Sequence, residues 1–93
     1  MRVSNMRSPR TGHPVANQFI IDDSKKRQIY FQSYDSIIVL IDYKKNQTYL
    51  DETYWDYSVT TGKYRNQFLN ECIAETRQKI KDGTYKLKDL NKR

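Results

Sequence analysis

The run of five apolar residues at positions 37–41 most strongly constrains how this chain can fold. A strand with one solvent-exposed face alternates apolar and polar side chains, whereas a continuous apolar run is typical of a strand that is covered on both faces. A single helix packed against a sheet covers only one of those two faces. The second face therefore needs another part of the chain or a second subunit, and homodimerisation through the open face is one hypothesis.

Four β-prone segments, including that run, are separated by short polar stretches. Polar stretches of this kind are typical of the turns in β-hairpins. The segments are residues 17–22, 28–33, 37–43 and 48–50. The spacing predicts a four-stranded antiparallel meander.

One long helix is predicted after the strands, from about residue 61 to residue 82. An apolar stripe that recurs every fourth residue is typical of a helix facing a core. The stripe comprises Tyr64, Phe68, Cys72, Thr76 and Ile80. Thr60 or Thr61 can cap its start and Gly83 can end it, and Cys72 is interpreted as a small core residue. The predicted fold is α+β, with the helix packed across one face of the meander.

Polar ends flank a single predicted domain, because 93 residues leave no room for a second core. Residues 1–16 contain two prolines, a glycine and no apolar periodicity, which predicts a flexible basic N-terminal arm. Residues 17–90 form the α+β domain. Within it, residues 84–90 predict a short edge strand or a docked coil, and residues 91–93 are a basic tail.

Positive charge is concentrated at the two ends of the chain. The formal net charge is +6 and the isoelectric point is about 9.5. Residues 1–16 hold three arginines and no acid, residues 77–93 hold seven basic and two acidic residues, and residues 17–76 hold seven basic and nine acidic residues. This balance indicates attraction to phosphate or to acidic proteins, although solvated tails would have the same composition.

Catalytic and metal-binding constellations are missing from the sequence. Cys72 is the only cysteine and His13 the only histidine, so neither an intramolecular disulfide, nor a zinc cluster, nor a triad can be assembled. Residues 60–63 lack the first glycine and the final hydroxyl residue of a phosphate loop. We therefore expect a protein that is not an enzyme and uses no metal or cofactor. The short apolar runs and the single cysteine favour a cytoplasmic location with no membrane contact.

The start of the predicted helix is the main candidate binding site. Its members are Thr60, Thr61, Lys63 and Arg65. The positive end of the helix dipole disfavours each cation there by about 0.3–1 kcal/mol, so an offsetting partner is expected. Free N–H groups together with Lys63 and Arg65 would hold a phosphate or an acidic side chain. Alternatively, Asp56 or Glu52 lies across the turn and neutralises the two cations.

Arg7 and Arg10 in the arm are a second candidate for contact with nucleic acid. Arginines beside serine, proline and glycine can follow a nucleic-acid backbone through its phosphates. Ordinary disordered tails have the same composition, so both interpretations stay open.

Two aromatic groups have both a structural and a functional interpretation. They are Tyr54, Trp55 and Tyr57, and Tyr30, Phe31 and Tyr34. The first group is expected to clamp a loop onto the core, or alternatively to bind a partner protein. The second group is expected to pack in the core, or alternatively to form a platform on which single-stranded bases stack.

Several strings of the sequence carry a resemblance to a family. They are SPRTG, Pro14 and NQF within residues 8–19, YFQSY and SII within residues 30–38, and WDYS, TT and KY within residues 55–64, followed by Phe68 and Leu69. Together they resemble a family of short uncharacterised proteins carried by bacteriophages and related mobile elements. The resemblance implies a small accessory protein that acts by binding, including inhibition of a host defence in the manner of anti-CRISPR proteins.

The leading functional prediction is a non-enzymatic protein that binds host nucleic acid or a nucleoprotein such as a Cas effector. The net charge of +6 disfavours mimicry of DNA and favours contact with guide RNA, target DNA or an acidic protein face. The rival prediction is a protein–protein interaction or a structural phage protein with no nucleic-acid contact. That role would use the aromatic segment around Trp55 and the open sheet face.

Overall fold

A single six-stranded sheet organises the chain in the computed structural model, which describes residues 1–92. The strands lie in sequence order, and every neighbouring pair is antiparallel except β5 and β6, which are parallel. The two helices lie between β5 and β6 in the chain and provide the long crossover that a parallel pair needs. The elements are β1 (Arg2–Arg7), β2 (Pro14–Asp23), β3 (Gln28–Ser33), β4 (Ser36–Asp42), β5 (Gln47–Asp51), α1 (Val59–Leu69), α2 (Ile73–Lys81) and β6 (Tyr85–Lys88).

The predicted four-stranded meander on one long helix is wrong, because the sheet has six strands and there are two short helices. The predicted flexible arm over residues 1–16 is part of the sheet. Strand β1 pairs with β2 from Arg2 opposite Asp22 to Arg7 opposite Pro14. The connecting turn is closed by a hydrogen bond from the Ser8 N–H to the His13 carbonyl, at 2.9 Å. These backbone bonds were invisible to a prediction based on apolar periodicity.

The predicted helix over residues 61–82 is interrupted at Asn70. Asn70 has the left-handed conformation that ends helices, with φ 55°, and its N–H bonds to the carbonyls of Asn66 and Gln67. Cys72 then precedes α2 as an exposed N-cap, so its predicted core position is wrong. The N-cap of α1 is Ser58 rather than either predicted threonine, whereas Gly83 follows α2 with φ +86° as predicted.

Both helices pack on the same face of the sheet. Phe31 of β3 stacks on Phe68 of α1 with ring centroids 5.6 Å apart, and Tyr85 of β6 donates a hydrogen bond to Glu71, which precedes α2. The core on this face consists of Met6, Phe31, Ile38, Val39, Leu50, Tyr64 and Tyr85. Among residues 1–92, no helix is both long and apolar enough to cross a membrane.

The opposite side of the sheet, here called the open face, is covered by neither helix. Side chains alternate between the two sides along a strand, and directly paired residues share a side. Since Phe31 faces the helices, Tyr30 lies on the open face together with its ladder partners Ile21 and Leu40. The apolar run at residues 37–41 therefore supplies side chains to both sides, and Ile38, Val39 and Leu40 are buried.

The chain's last described residues dock beside β4. The Asn91 side chain accepts from the Ile37 N–H at 2.7 Å and donates to the Ile37 carbonyl at 2.9 Å. The predicted basic tail at residues 91–93 thus begins with an anchored residue, and Arg93 lies outside the described part. Strand β6 confirms the edge strand predicted within residues 84–90.

Candidate functional site

Arg65 is buried in the middle of α1, with 1% of its surface exposed. Because α1 begins at Val59, Arg65 is its seventh residue, and the predicted position of Arg65 in the first turn is wrong. Its guanidinium Nη1 donates to the Trp55 carbonyl at 2.7 Å and to Asp56 Oδ1 at 3.1 Å, and Nη2 donates to Asn66 Oδ1 at 2.9 Å. It also lies 5.3 Å from the centroid of the Trp55 ring. The charge of Arg65 is therefore matched by the protein's own carboxylate, which is the alternative that the sequence left open for Asp56.

The other three residues predicted at the helix start are divided between the interior and the solvent. Thr61 is fully buried, and its hydroxyl bonds to Ser33 at 2.9 Å and to Ser58 at 3.0 Å. Lys63 is exposed and lies 5.4 Å from the centroid of the Tyr64 ring, and Thr60 is also exposed. The predicted four-residue anion site is thus reduced to two exposed side chains.

Arg7 and Arg10 are not brought to the start of α1. Arg7 Nη1 donates to the Gly12 carbonyl at 2.9 Å, and Gln67 near the end of α1 donates to the Arg7 carbonyl at 2.8 Å. Thr60 and Gln67 are about 10 Å apart along the helix axis. Arg10 is exposed in the turn between β1 and β2. These arginines and the helix start therefore do not form one surface.

The three aromatic residues that were predicted to bind a partner contact one another and the hydrophobic core of the fold. Tyr54 and Tyr57 meet edge to face with centroids 5.4 Å apart, and Tyr54 and Trp55 pack against the core. Tyr57 is 46% exposed, whereas Tyr54 and Trp55 are partly buried. These contacts agree with the clamp that the sequence favoured.

The two hairpin loops between β2 and β3 and between β4 and β5 form a different basic cluster. Residues 23–28 read DSKKRQ and residues 42–47 read DYKKNQ, so both follow the pattern Asp-x-Lys-Lys-x-Gln. We call these loops the first tip and the second tip. They lie side by side because β3 pairs with β4, and the Tyr43 N–H of the second tip bonds to the Arg27 carbonyl of the first at 2.9 Å.

An aspartate at the base of each tip holds the loop closed. Asp23 Oδ1 accepts from the Lys26 N–H at 3.3 Å, and Asp42 Oδ1 accepts from the Lys45 N–H at 3.1 Å. Asp42 Oδ2 also accepts from the Gln28 side chain at 3.2 Å, which joins the two tips. The Lys45 N–H, more than any other group, lowers the pKa of Asp42 below its usual range. Both carboxylates are buried and are used within the fold.

Five cations of the tips surround an open groove of about 440 Å³ that Gln28 and Asp42 also line. They are Lys25, Lys26, Arg27, Lys44 and Lys45. All five are exposed, and none takes part in an ion pair with another residue of the described chain. A cleft of similar size beside β1 has Arg7 as its single charged lining residue, and that guanidinium is bonded to Gly12. Within residues 1–92, the cations of the tips therefore form no ion pairs.

Arg27 occupies a strained position at the end of the first tip. Its φ is 55°, and the equivalent residue of the second tip, Asn46, has φ 52°. Asparagine and glycine adopt this left-handed conformation at low cost, whereas an arginine is strained there. The fold therefore accepts strain at a position that adds a fifth cation to the groove.

Sequence reasoning missed this cluster because charge was summed over long segments. Residues 17–76 carry more acids than bases, but the two acids nearest the tip lysines are occupied within the loops. The repeated Asp-x-Lys-Lys-x-Gln string was the available signal. The predicted platform of Tyr30, Phe31 and Tyr34 is also divided, since Phe31 is in the core and Tyr34 is in the turn between β3 and β4.

The fold and this cluster define a small α+β protein with a basic surface at one end of its sheet. Among residues 1–92, no group of three or more His, Cys, Asp or Glu side chains is placed to hold a metal ion. Residues 1–83 match a family described as a family of unknown function, DUF8033, and the chain belongs to that family. No curated protein and no solved structure matches the chain.

Proposed function

We propose that this protein is a non-enzymatic binding protein that contacts the phosphate backbone of nucleic acid through its two hairpin tips. The observation that carries the proposal is the set of five exposed cations around one groove, on loops whose own carboxylates are occupied. Contacts of lysine and arginine with phosphates release counterions and supply most of the sequence-independent affinity for nucleic acid.

The spacing of the tips suits a polyanion better than a single small anion. Their centres are separated by two strand-to-strand distances, or about 10 Å. Stacked nucleotides rise by about 3.4 Å each, so the two tips span about three nucleotides of one strand. A chain of regularly spaced phosphates can therefore contact both tips at once.

The resemblance to phage-borne proteins extends the proposal to a biological partner. A basic surface that contacts guide RNA or target DNA would let such a protein inhibit a host nucleoprotein such as a Cas effector. The rival proposal, a purely protein–protein role for Tyr54, Trp55 and Tyr57, receives less support because Tyr54 and Trp55 pack against the core.

The direct test compares two double variants that each remove two positive charges. Lys25→Gln/Lys44→Gln changes equivalent positions of the tips, and Arg10→Gln/Lys63→Gln changes exposed cations outside them. Fluorescence anisotropy with a labelled mixed-sequence oligonucleotide at low salt measures the affinity. We expect the tip variant to bind about tenfold more weakly and the second variant to stay within about twofold of the unchanged protein.

Equal losses in the two variants would show that net charge, rather than the tips, drives binding. Absence of binding by the unchanged protein would overturn the proposal itself. Affinity capture from host lysate with and without nuclease treatment separates the rival, because a protein partner of the aromatic segment would be retained after nuclease treatment.

A further inference from the structure

The open face carries a row of apolar and aromatic side chains across the whole sheet. The row is fixed by the strand register, which pairs each member directly with the next. Its members are Val3, Ile21, Tyr30, Leu40, Tyr49 and Lys86. None of the five apolar or aromatic members belongs to the hydrophobic core beneath the helices.

Two tyrosines of this row are half-buried, and each is positioned by polar contacts. The Tyr30 hydroxyl donates a hydrogen bond to Gln28 Oε1 at 2.8 Å. Burial raises the pKa of Tyr30, as do the charges of Asp23 and Asp42, so the phenol stays protonated and remains a donor. The ammonium group of Lys88 lies 5.2 Å from the centroid of the Tyr49 ring. The strands that carry the two rings, β3 and β5, are about 10 Å apart, which leaves room for a base on each ring.

The open face is also electropositive at its margins. Strand β6 presents Lys86 and Lys88 on this side, and the basic tips begin directly beyond Tyr30 and Tyr49. The three aspartates of the face are used internally: Asp23 and Asp42 hold the tips, and Asp51 accepts backbone N–H groups from Thr53, Tyr54 and Leu90. Aromatic rings flanked by free cations are the arrangement that binds single strands, in which bases stack and phosphates contact cations.

We propose that the open face binds single-stranded nucleic acid, with bases stacked on Tyr30 and Tyr49 and the backbone running onto the basic tips. This inference rests on the proposed function and adds the strandedness of the ligand, because the bases of a duplex are paired and stacked and cannot lie on these rings. A second copy of the chain fits this face less well. It would place the lysines of one copy against the same lysines of the other, and each copy carries a net charge of +6.

The test measures binding of an oligothymidylate of about 12 nucleotides and of the duplex it forms with its complement. Tyr30→Leu and Tyr49→Leu remove one ring each, and Tyr30→Phe keeps the ring while removing the hydroxyl. Tyr34→Leu removes an exposed ring from the turn between β3 and β4 and serves as the matched control. Circular dichroism and thermal unfolding verify that each variant is folded.

We expect Tyr30→Leu and Tyr49→Leu each to weaken binding of the single strand by about tenfold and to leave duplex binding unchanged. Tyr30→Phe and Tyr34→Leu should stay within about twofold of the unchanged protein. If the ring variants change neither ligand while Lys25→Gln/Lys44→Gln weakens both, the stacking inference is overturned and the proposed function stands.

If neither ligand binds the unchanged protein, both proposals fall. Light scattering at increasing protein concentration measures whether the chain forms a dimer. A dimer that Tyr30→Leu dissociates would assign the open face to a second copy and would overturn the single-strand proposal.

Discussion

Helix α1 and the two hairpin tips both carry cations, but they differ in what faces those cations. In the middle of α1, Arg65 is buried against Asp56 and the Trp55 carbonyl. At the tips, the nearby carboxylates of Asp23 and Asp42 accept backbone N–H groups, and within residues 1–92 the tip lysines form no ion pairs. Whether a cation is available to a ligand therefore depends on what the neighbouring carboxylates bind, which a count of charges does not report.

Removal of the buried Arg65 should have the largest effect on stability. Arg65→Ala deletes three hydrogen bonds and the contact with Trp55, and should reduce the free energy of unfolding by about 3 kcal/mol. Urea denaturation followed by circular dichroism measures the change. If Arg65→Ala were as stable as the unchanged protein but bound nucleic acid more weakly, the contrast between the two regions would be reversed.

Glu71 provides a second case of a cation neutralised inside the fold. Its carboxylate is 3% exposed and accepts from Lys79 at 2.7 Å, Thr76 at 2.6 Å and Tyr85 at 2.8 Å. Burial opposes its ionisation, but these hydrogen bonds outweigh that effect and lower the pKa of Glu71. Glu71→Gln should cost about 1–2 kcal/mol of stability at neutral pH.

The same carboxylate predicts a dependence of stability on pH. Because the pKa of Glu71 is lower in the folded state, the unfolded chain binds its proton first as the pH falls. The contribution of Glu71 is complete above its ordinary value of 4.5 and is lost as the pH drops below it. The stability difference between the unchanged protein and Glu71→Gln should therefore shrink in acid, and a constant difference from pH 7 to pH 3 would contradict this account.

Replacement of the strained Arg27 should separate stability from binding. Arg27→Asn gives the first tip the residue that the second tip has at Asn46, and should stabilise the fold by about 0.5–1 kcal/mol. The same change removes one cation from the groove and should weaken nucleic-acid binding. Thermal unfolding and anisotropy on the same sample measure the two effects, and a loss of stability would show that Arg27 has a structural role instead.

Lys63→Ala should have the smallest effect of the series. It loses a cation–π contact with Tyr64 that is worth about 0.5 kcal/mol at an exposed site. Lys63 is the fifth residue of α1, past the first turn in which the helix dipole acts, so the dipole adds little. We expect a net change in stability within about 0.5 kcal/mol and no change in binding. A severalfold loss of affinity would restore the helix start as the binding site.

The sequence predicted the positions of the central strands, but it predicted neither strand β1 nor the break between the two helices. The apolar segments within residues 17–50 are β2 to β5, because alternating and continuous apolar patterns report burial directly. Strand β1 is polar apart from Val3 and Met6, so no periodicity marked it. The helix break at Asn70 was hidden because the apolar stripe continues across it, and only the left-handed backbone of Asn70 ends α1.

The candidate site was predictable only in part. The Asp56 alternative for Arg65 was visible as an acid close to the helix start in sequence. The tips required the strand register, which places residues 23–28 beside residues 42–47. The division of Tyr30 and Phe31 between the two sides of the sheet also required knowledge of which side the helices cover.

The salt dependence of binding tests the central claim most directly. The logarithm of the association constant for an oligonucleotide, plotted against the logarithm of salt concentration, has a slope of about −0.7 to −0.9 for each phosphate neutralised. We predict that Lys25→Gln/Lys44→Gln makes the slope shallower by about 1.4 to 1.8, while Arg10→Gln/Lys63→Gln leaves it unchanged. A slope that stays constant in the tip variant and becomes shallower in the other would contradict the account.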